Sequence, residues 1–271
     1  MNSNSKEIKH HVPNYFLNPS HPIGIIVAGI GGTGCIVASN LLKMHVTLKA
    51  LDHIGLKVFL CDGSDIRPAN QGRQEFYKDD IGKNKAYVLS ARLNAAVGEY
   101  VFIPITENIS KYTLNGSGWG YNKRLGINAN IIIGCVDNIE SREIFQWSMR
   151  KRRVAYDEDQ LWYWMDCGND FNSGQVILGS KLIHQPKGSV TRAKLPTAME
   201  MMPEAIARID DEDDTPSCSL AEAIDKQDMF INSTIADVGC HLLWNLLKDG
   251  FVTYNAVFVN LLTGEIGRNK L

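Results

Sequence analysis

Gly29-Ile30-Gly31-Gly32-Thr33-Gly34 follows an apolar run and opens a stretch of helical periodicity. Glycines at such a junction let the backbone turn sharply. They also let a phosphate reach the unpaired N–H groups of the helix N-terminus, where the dipole favours anions. Taken alone, the GxGxxG pattern suits NAD or FAD at least as well as a mononucleotide. No Lys-Ser/Thr follows the glycines, so a Walker A loop is excluded. Asp62 ends the next apolar run, where an acid can hold a ribose hydroxyl under either reading. Asn70, Arg73, Gln74, Asp80, Gly82 and Lys85 come after it. Any one of these could belong to a solvated polar loop. Two fixed cations close behind a glycine turn instead suggest a triphosphate whose charge must be neutralised.

A second candidate centre is Cys218, in Pro216-Ser217-Cys218-Ser219-Leu220-Ala221-Glu222. Ser219 and Glu222 have capping-box spacing, so a helix is expected to begin just after the thiol. A cysteine there has a lowered pKa and a nucleophilic thiolate. The bland alternative is a small residue before a helix cap. The acidic run at 210–214 reads as a solvated approach rather than a metal site.

The elements expected to position these groups alternate. IGIIVAGI (23–30), LKVFLCD (56–62), residues 100–105 and ANIIIGCVD (129–137) read as strands, with LWYWMDCG and GQVILGSKLI after them. Continuous apolar runs of this kind fit strands buried on both faces. Helical spacing occupies the stretch after Gly34, residues 82–97, and the segment following Asp137. The expected fold is therefore α/β, a Rossmann-like, doubly wound and mainly parallel sheet. Residues 184–217 hold four prolines and little strand signal, which predicts a long crossover loop with one short helix. A helical region over about 220–248 and a hairpin turning at Thr263-Gly264 complete the chain.

Composition bounds the partners. A formal net charge of −2 gives no bulk attraction to nucleic acid or anionic membrane. The N-terminal stretch is polar, and no apolar run reaches the roughly 18 residues needed to span a bilayer, so a cytoplasmic protein is expected. None of the six cysteines falls in a CxxC pair, so no zinc is expected. Cys61, Cys135 and Cys167 close strand-like runs and read as buried free thiols.

The order GIGGTG, D-x7-N-x2-RQ, D-x-G-x2-K and VDNIESR resembles the ThiF/MoeB/HesA superfamily, which includes ubiquitin-activating enzymes. From PSCSLAEAIDKQDMFINSTIADVG onward the chain looks most like the ThiF-family protein of the bacterial PRTRC gene cassette. The resemblance implies one adenylation domain over 1–271, with residues 1–21 as an N-terminal extension. It implies ATP and Mg²⁺, with Gly29, Gly31, Gly32 and Gly34 at the nucleotide and Asp62 on the ribose. Asn70, Arg73 and Lys85 would hold the phosphates with Gln74 beside them, and Asp137 would bind magnesium. The implied reaction is adenylation of the C-terminal carboxylate of a small ubiquitin-like protein ending in Gly, then thioester transfer to Cys218. A conjugating-enzyme-like acceptor and a homodimer are implied too. Dimeric relatives supply an arginine from the N-terminal helix. No Arg precedes Arg67 here, so Lys6, Lys9 or another group would have to replace it. A non-catalytic ATP-binding scaffold, an NAD(P)-dependent oxidoreductase, and adenylation of a small molecule or RNA base are the competing readings.

Overall fold

The computed structural model describes residues 7–111, 113–115, 129–151, 160–187, 190–204 and 227–271. The first half comprises β1 (His10–His11), β2 (Ile23–Ala28), α1 (Gly32–Ala50), β3 (Leu56–Cys61), α2 (Lys85–Val97), β4 (Phe102–Ile105) and β5 (Ile131–Gly134). The second comprises α3 (Ile139–Arg150), β6 (Tyr163–Asn169), β7 (Ser173–Ser180) and the single turn α4 (Ala198–Met201). α5 (Ile231–Lys248), β8 (Phe251–Val252), β9 (Tyr254–Asn260) and β10 (Glu265–Lys270) follow.

Eight strands form one sheet in the order β10-β9-β7-β6-β5-β2-β3-β4, with β1 and β8 in a separate ribbon. β4, β3, β2, β5 and β6 are mutually parallel, whereas β7, β9 and β10 continue the sheet antiparallel. All six residues of β2 and all four of β5 are buried, as their uninterrupted apolar sequences demand. α1, α2 and α5 cover one face through Leu41, Leu89 and Leu243. α3 and α4 cover the other through Phe145 and Ala198. The β6–β7 link is only three residues long, which dictates a hairpin, since a parallel return needs a dozen residues or more.

Local chemistry sets the boundaries. The helix read over 82–97 begins at Lys85, because Gly82 takes φ +82° and the Asn84 side chain accepts from Tyr87 N–H as N-cap. It ends at Gly98 in the left-handed conformation. The helix expected from about 220 is described only from Ile231, with residues 227–230 before it in a non-helical turn. Gly264, at φ +69°, turns the β9–β10 hairpin where it was expected.

Two buried polar pairs lie inside this frame. Arg142 Nε donates to Asp166 Oδ1 at 3.1 Å, with both side chains nearly inaccessible. Burial raises the Asp166 pKa and Arg142 pulls it back. At the N-terminal side, His10 Nδ1 donates to Arg192 carbonyl oxygen at 2.6 Å, and Tyr163 hydroxyl donates to His10 Nε2 at 3.2 Å. The carbonyl fixes the neutral tautomer. Burial pushes the His10 pKa down to about 4.

An unfolded chain therefore takes up a proton on His10 near pH 6.5 that the folded one refuses until about pH 4. Stability should fall as pH drops through that window, by up to about 3 kcal/mol from this group. His11, His45 and His53 are shifted the same way and steepen the slope. Urea unfolding at pH 7 and 4.5 measures it, and His10→Gln should flatten the difference; an unchanged slope would refute the assignment. Asp166→Ala should cost about 3–5 kcal/mol in the same assay, because it strands a buried guanidinium.

Candidate functional site

The parallel register brings three strand ends together. Ala28 is paired with Cys61 on one side and with Gly134 on the other. Gly29 N–H donates to Cys61 carbonyl oxygen at 2.9 Å, and Cys135 N–H donates to Ala28 carbonyl oxygen at 2.8 Å. From β2 the chain goes to β3 and β4 on one side, then returns to β5 on the other. The turns after β2, β3 and β5 thus open side by side at a topological switch point, where ligands of such sheets bind.

Each glycine of the first turn has its own reason. Gly29 adopts φ +86°, and a Cβ there would stand 2.5 Å from Cys135 carbonyl oxygen. A Cβ on Gly34 would run into Gly29 carbonyl oxygen, and one on Gly32 would be 2.5 Å from the Asn232 amide carbon. Gly31 differs: a Cβ there would meet nothing within 4 Å. The turn is closed on its protein side and open above Gly31.

Asp62 follows β3 and is 8% exposed. Its Oδ2 accepts from Ile30 N–H at 2.7 Å and its Oδ1 from Ser64 N–H at 2.8 Å. The carboxylate therefore ties the glycine turn to β3 while each oxygen keeps a further acceptor site. Asn84 Nδ2 donates to Asp62 carbonyl oxygen at 2.9 Å and so fixes the start of α2 against the same turn. Lys85 is the first residue of that helix, half-buried. Asn70 Oδ1 accepts from Arg67 N–H at 2.7 Å, closing the 3-10 turn Pro68–Asn70 that precedes Arg73.

Arg73 is half-buried, and burial lowers its pKa. Its Nη1 donates to Gln227 Oε1 at 2.9 Å, but its buried Nε has no partner among the described residues. Gln74 Oε1 and Asn169 Nδ2 are likewise buried without a partner. Native interiors rarely leave such atoms unpaired, and each costs about 1–3 kcal/mol when they do. Their hydrogen-bonding capacity fits a bound polar group, and an anion for the guanidinium.

Asp137 lies three residues beyond β5 and is exposed, its carboxylate touched only by Asn138 Nδ2 at 3.4 Å among the described residues. Asn138 caps α3 by accepting from Ser141 N–H at 2.9 Å, and its carbonyl oxygen accepts from Arg142 Nη1 at 3.5 Å. The buried Arg142–Asp166 pair thereby steadies the loop that carries Asp137. Among the described residues no group of three His, Cys, Asp or Glu could hold a metal by itself. A single free carboxylate still fits Mg²⁺, which takes one or two carboxylates with phosphate oxygens and water.

Cys218 and Lys6 lie outside the described residues. Lys9 is engaged elsewhere, its ammonium 3.7 Å above the Phe251 ring. Cys35, Cys61, Cys167 and Cys240 are buried free thiols, and Cys135 is partly buried. Burial raises the pKa of Cys35 and of Cys240 to about 12, so neither supplies a thiolate near neutral pH.

Four residues that sequence reasoning missed join the site. Thr33 Oγ1 donates to Asn232 Oδ1 at 2.9 Å and approaches Asn169 Oδ1 at 3.4 Å. Asn232 Nδ2 donates to Gln227 Oε1, also at 2.9 Å. One signal could have found Asn232: a polar residue on the apolar face of a helix, which must have buried partners.

The ThiF family model matches residues 21–249. Ubiquitin-like modifier-activating enzyme 5 of Drosophila ananassae is 25% identical over 142 residues, which is 49% of this chain and 33% of that relative. E. coli MccB crystallised with succinimide superposes with TM-score 0.57 at 16% identity, over 91% of this chain and 63% of that one. The structure of PaaA gives TM-score 0.57 at 14% identity, over 92% and 64%. MccB with ATP gives 0.56 at 16% identity, over 91% and 63%. The structural likenesses establish the fold. The chain spans about a third of the curated relative and less than two thirds of each solved structure. The family match, by contrast, runs from before β2 to beyond α5 and takes in the whole switch-point crevice: the chain belongs to the ThiF family.

Proposed function

We propose that this chain adenylates the C-terminal carboxylate of a small ubiquitin-like protein with ATP, then takes the acyl group onto Cys218. The observation that carries the nucleotide half is the Arg73 guanidinium. It is half-buried, tied at Nη1 to a neutral amide, unpartnered at Nε among the described residues, and linked by hydrogen bonds to the first turn of α1. A nicotinamide dinucleotide has less need of such a cation than a triphosphate has. The ThiF family match, the name of the Drosophila relative and the MccB structure with ATP support the same reading.

The chemistry requires little proton transfer. A C-terminal carboxylate has an ordinary pKa of about 3.5 and is an anion at neutral pH. Its oxygen attacks the α-phosphorus, an acyl–O–P bond forms, the α–β bridging P–O bond breaks, and pyrophosphate leaves with its electron pair. What remains for the protein is positioning and charge neutralisation. In this reading Gly29, Gly31, Gly32 and Gly34 admit the phosphates and Asp62 holds the ribose. Asn70, Arg73 and Lys85 bind the phosphates with Gln74 beside them, and Asp137 holds Mg²⁺. Magnesium would neutralise phosphate charge there. In the second half-reaction the Cys218 thiolate attacks the acyl carbon, a C–S bond forms and AMP leaves. The kinship with PRTRC-cassette proteins, a conjugating-enzyme-like acceptor and a homodimer belong to this proposal. A partner ending in Gly is part of it as well, because only a slim tail threads to the α-phosphate.

Exchange of labelled pyrophosphate into ATP should appear only when a β-grasp protein ending in glycine is added. Arg73→Ala and Asp137→Ala should each lower that exchange by about 10²–10³, the usual cost of removing one preorganised electrostatic group. Cys218→Ala should keep the exchange and lose only the reducible thioester, visible on a non-reducing gel. A thioester persisting in that variant would remove Cys218 from the mechanism.

MgATP at a hundred times its Kd should stabilise the chain by about 2.7 kcal/mol against thermal unfolding, with NAD giving no shift. The reverse pattern would favour the oxidoreductase reading. ATP binding with no exchange across glycine-ended partners would favour a non-catalytic scaffold.

A further inference from the structure

We infer that Gln227 and Asn232 are positioning residues: with Thr33 they form a hydrogen-bonded clamp that fixes the Arg73 guanidinium relative to the glycine turn. This rests on the nucleotide reading above and names residues which that reading does not use.

The clamp is continuous. Arg73 Nη1 and Asn232 Nδ2 both donate to Gln227 Oε1, each at 2.9 Å, and Thr33 Oγ1 donates to Asn232 Oδ1 at 2.9 Å. Its polarity is set from one end. A guanidinium can only donate, so the Gln227 amide must present oxygen to Arg73. With both acceptor sites of that oxygen in use, Asn232 must present nitrogen to it. The Asn232 oxygen is then left for the Thr33 hydroxyl. No amide in the chain can flip without setting like groups against each other. Thr33 and Asn232 are 5% and 4% exposed, so water does not replace these bonds at low cost.

The other end of the clamp is a backbone contact. Asn232 presses on Gly32 so closely that a Cβ there would stand 2.5 Å from its amide carbon. The first turn of α5 thus references the cation and the glycine turn to one rigid point. Arg73 is separated from Gly32 by α1, β3 and the loops around them, so local sequence cannot set their relative position. Neutrality matters equally. Gln227 occupies Nη1 without cancelling the charge and leaves Nε unpartnered among the described residues, whereas a carboxylate at 227 would form an ion pair and spend the cation inside the protein.

Wild type, Asn232→Ala, Gln227→Leu and Gln227→Glu are compared by calorimetric titration with MgATP and with adenosine. The ¹⁵N order parameter of the Arg73 Nε–H is measured in each without ligand. Loss of one charge-assisted phosphate contact corresponds to about tenfold in affinity. Asn232→Ala and Gln227→Leu should therefore weaken MgATP about tenfold, leave adenosine within about twofold, and loosen the Arg73 Nε–H. Gln227→Glu should keep the Nε–H ordered and still weaken MgATP, which separates placement from charge. A merely structural role would lower both ligands together. An unchanged ratio of MgATP to adenosine affinity with an unchanged order parameter in Asn232→Ala and Gln227→Leu would overturn the clamp. If wild type binds MgATP no better than adenosine, the nucleotide reading fails instead. The order parameters, which need no nucleotide, then decide the clamp by themselves: loosening in those two variants upholds it, and no loosening overturns it.

Discussion

The main-chain register of β2 is the constraint to which everything at the crevice is referred. Parallel hydrogen bonding to β3 on one side and β5 on the other leaves no freedom in where the three following turns begin. Gly29 N–H and Cys135 N–H extend those ladders one residue past the strands, so the turns start as part of the sheet. Asp62 then adds a side-chain strut, accepting from Ile30 N–H and Ser64 N–H across the gap between the first two turns. β2 and β5 are buried along their whole length, and close packing on both faces resists a shift of register. Precision at the crevice is inherited from the core.

Against that rigid edge the polar interior is under-satisfied. Arg73 Nε, Gln74 Oε1 and Asn169 Nδ2 are buried with no partner among the described residues. Arg142 faces Asp166, and His10 is held by Arg192 and Tyr163. His45 Nε2, Ser148 Oγ and Trp164 Nε1 are also buried without a partner among the described residues, but Arg73 Nε is the unmatched atom that carries a charge.

Much of the frame was legible in the sequence. Six consecutive buried residues in β2 and four in β5 leave no polar alternation to interpret, and Gly264 marks a real turn. The antiparallel half was harder, because β7 keeps a continuous apolar run, Val176-Ile177-Leu178, like those of the parallel strands, and only the brevity of Asp170–Asn172 shows that it runs back along β6. His10 was invisible in a polar N-terminal stretch, since its burial depends on Tyr163 and Arg192, far along the chain. At the site, glycines, acids and cations could be singled out by type and spacing. Thr33, Asn169 and Gln227 could not, and Asn232 shows only as a polar residue on an apolar face, because the four meet only after α1, β6 and α5 pack and no local pattern links their positions. Sequence shows which residues are chemically able; it does not show which amides will be left facing one another.

The glycine turn separates two demands that are usually entangled. At 29, 32 and 34 a methyl group would strike the protein's own carbonyls or the Asn232 amide, so those positions are bound to folding itself. At 31 the same methyl would enter open space. On the proposed nucleotide reading, a lineage of this chain could therefore abandon its ligand through one side chain at residue 31 while its architecture went on undisturbed. The empty volume over that single Cα is where inheritance of shape and inheritance of activity can part company.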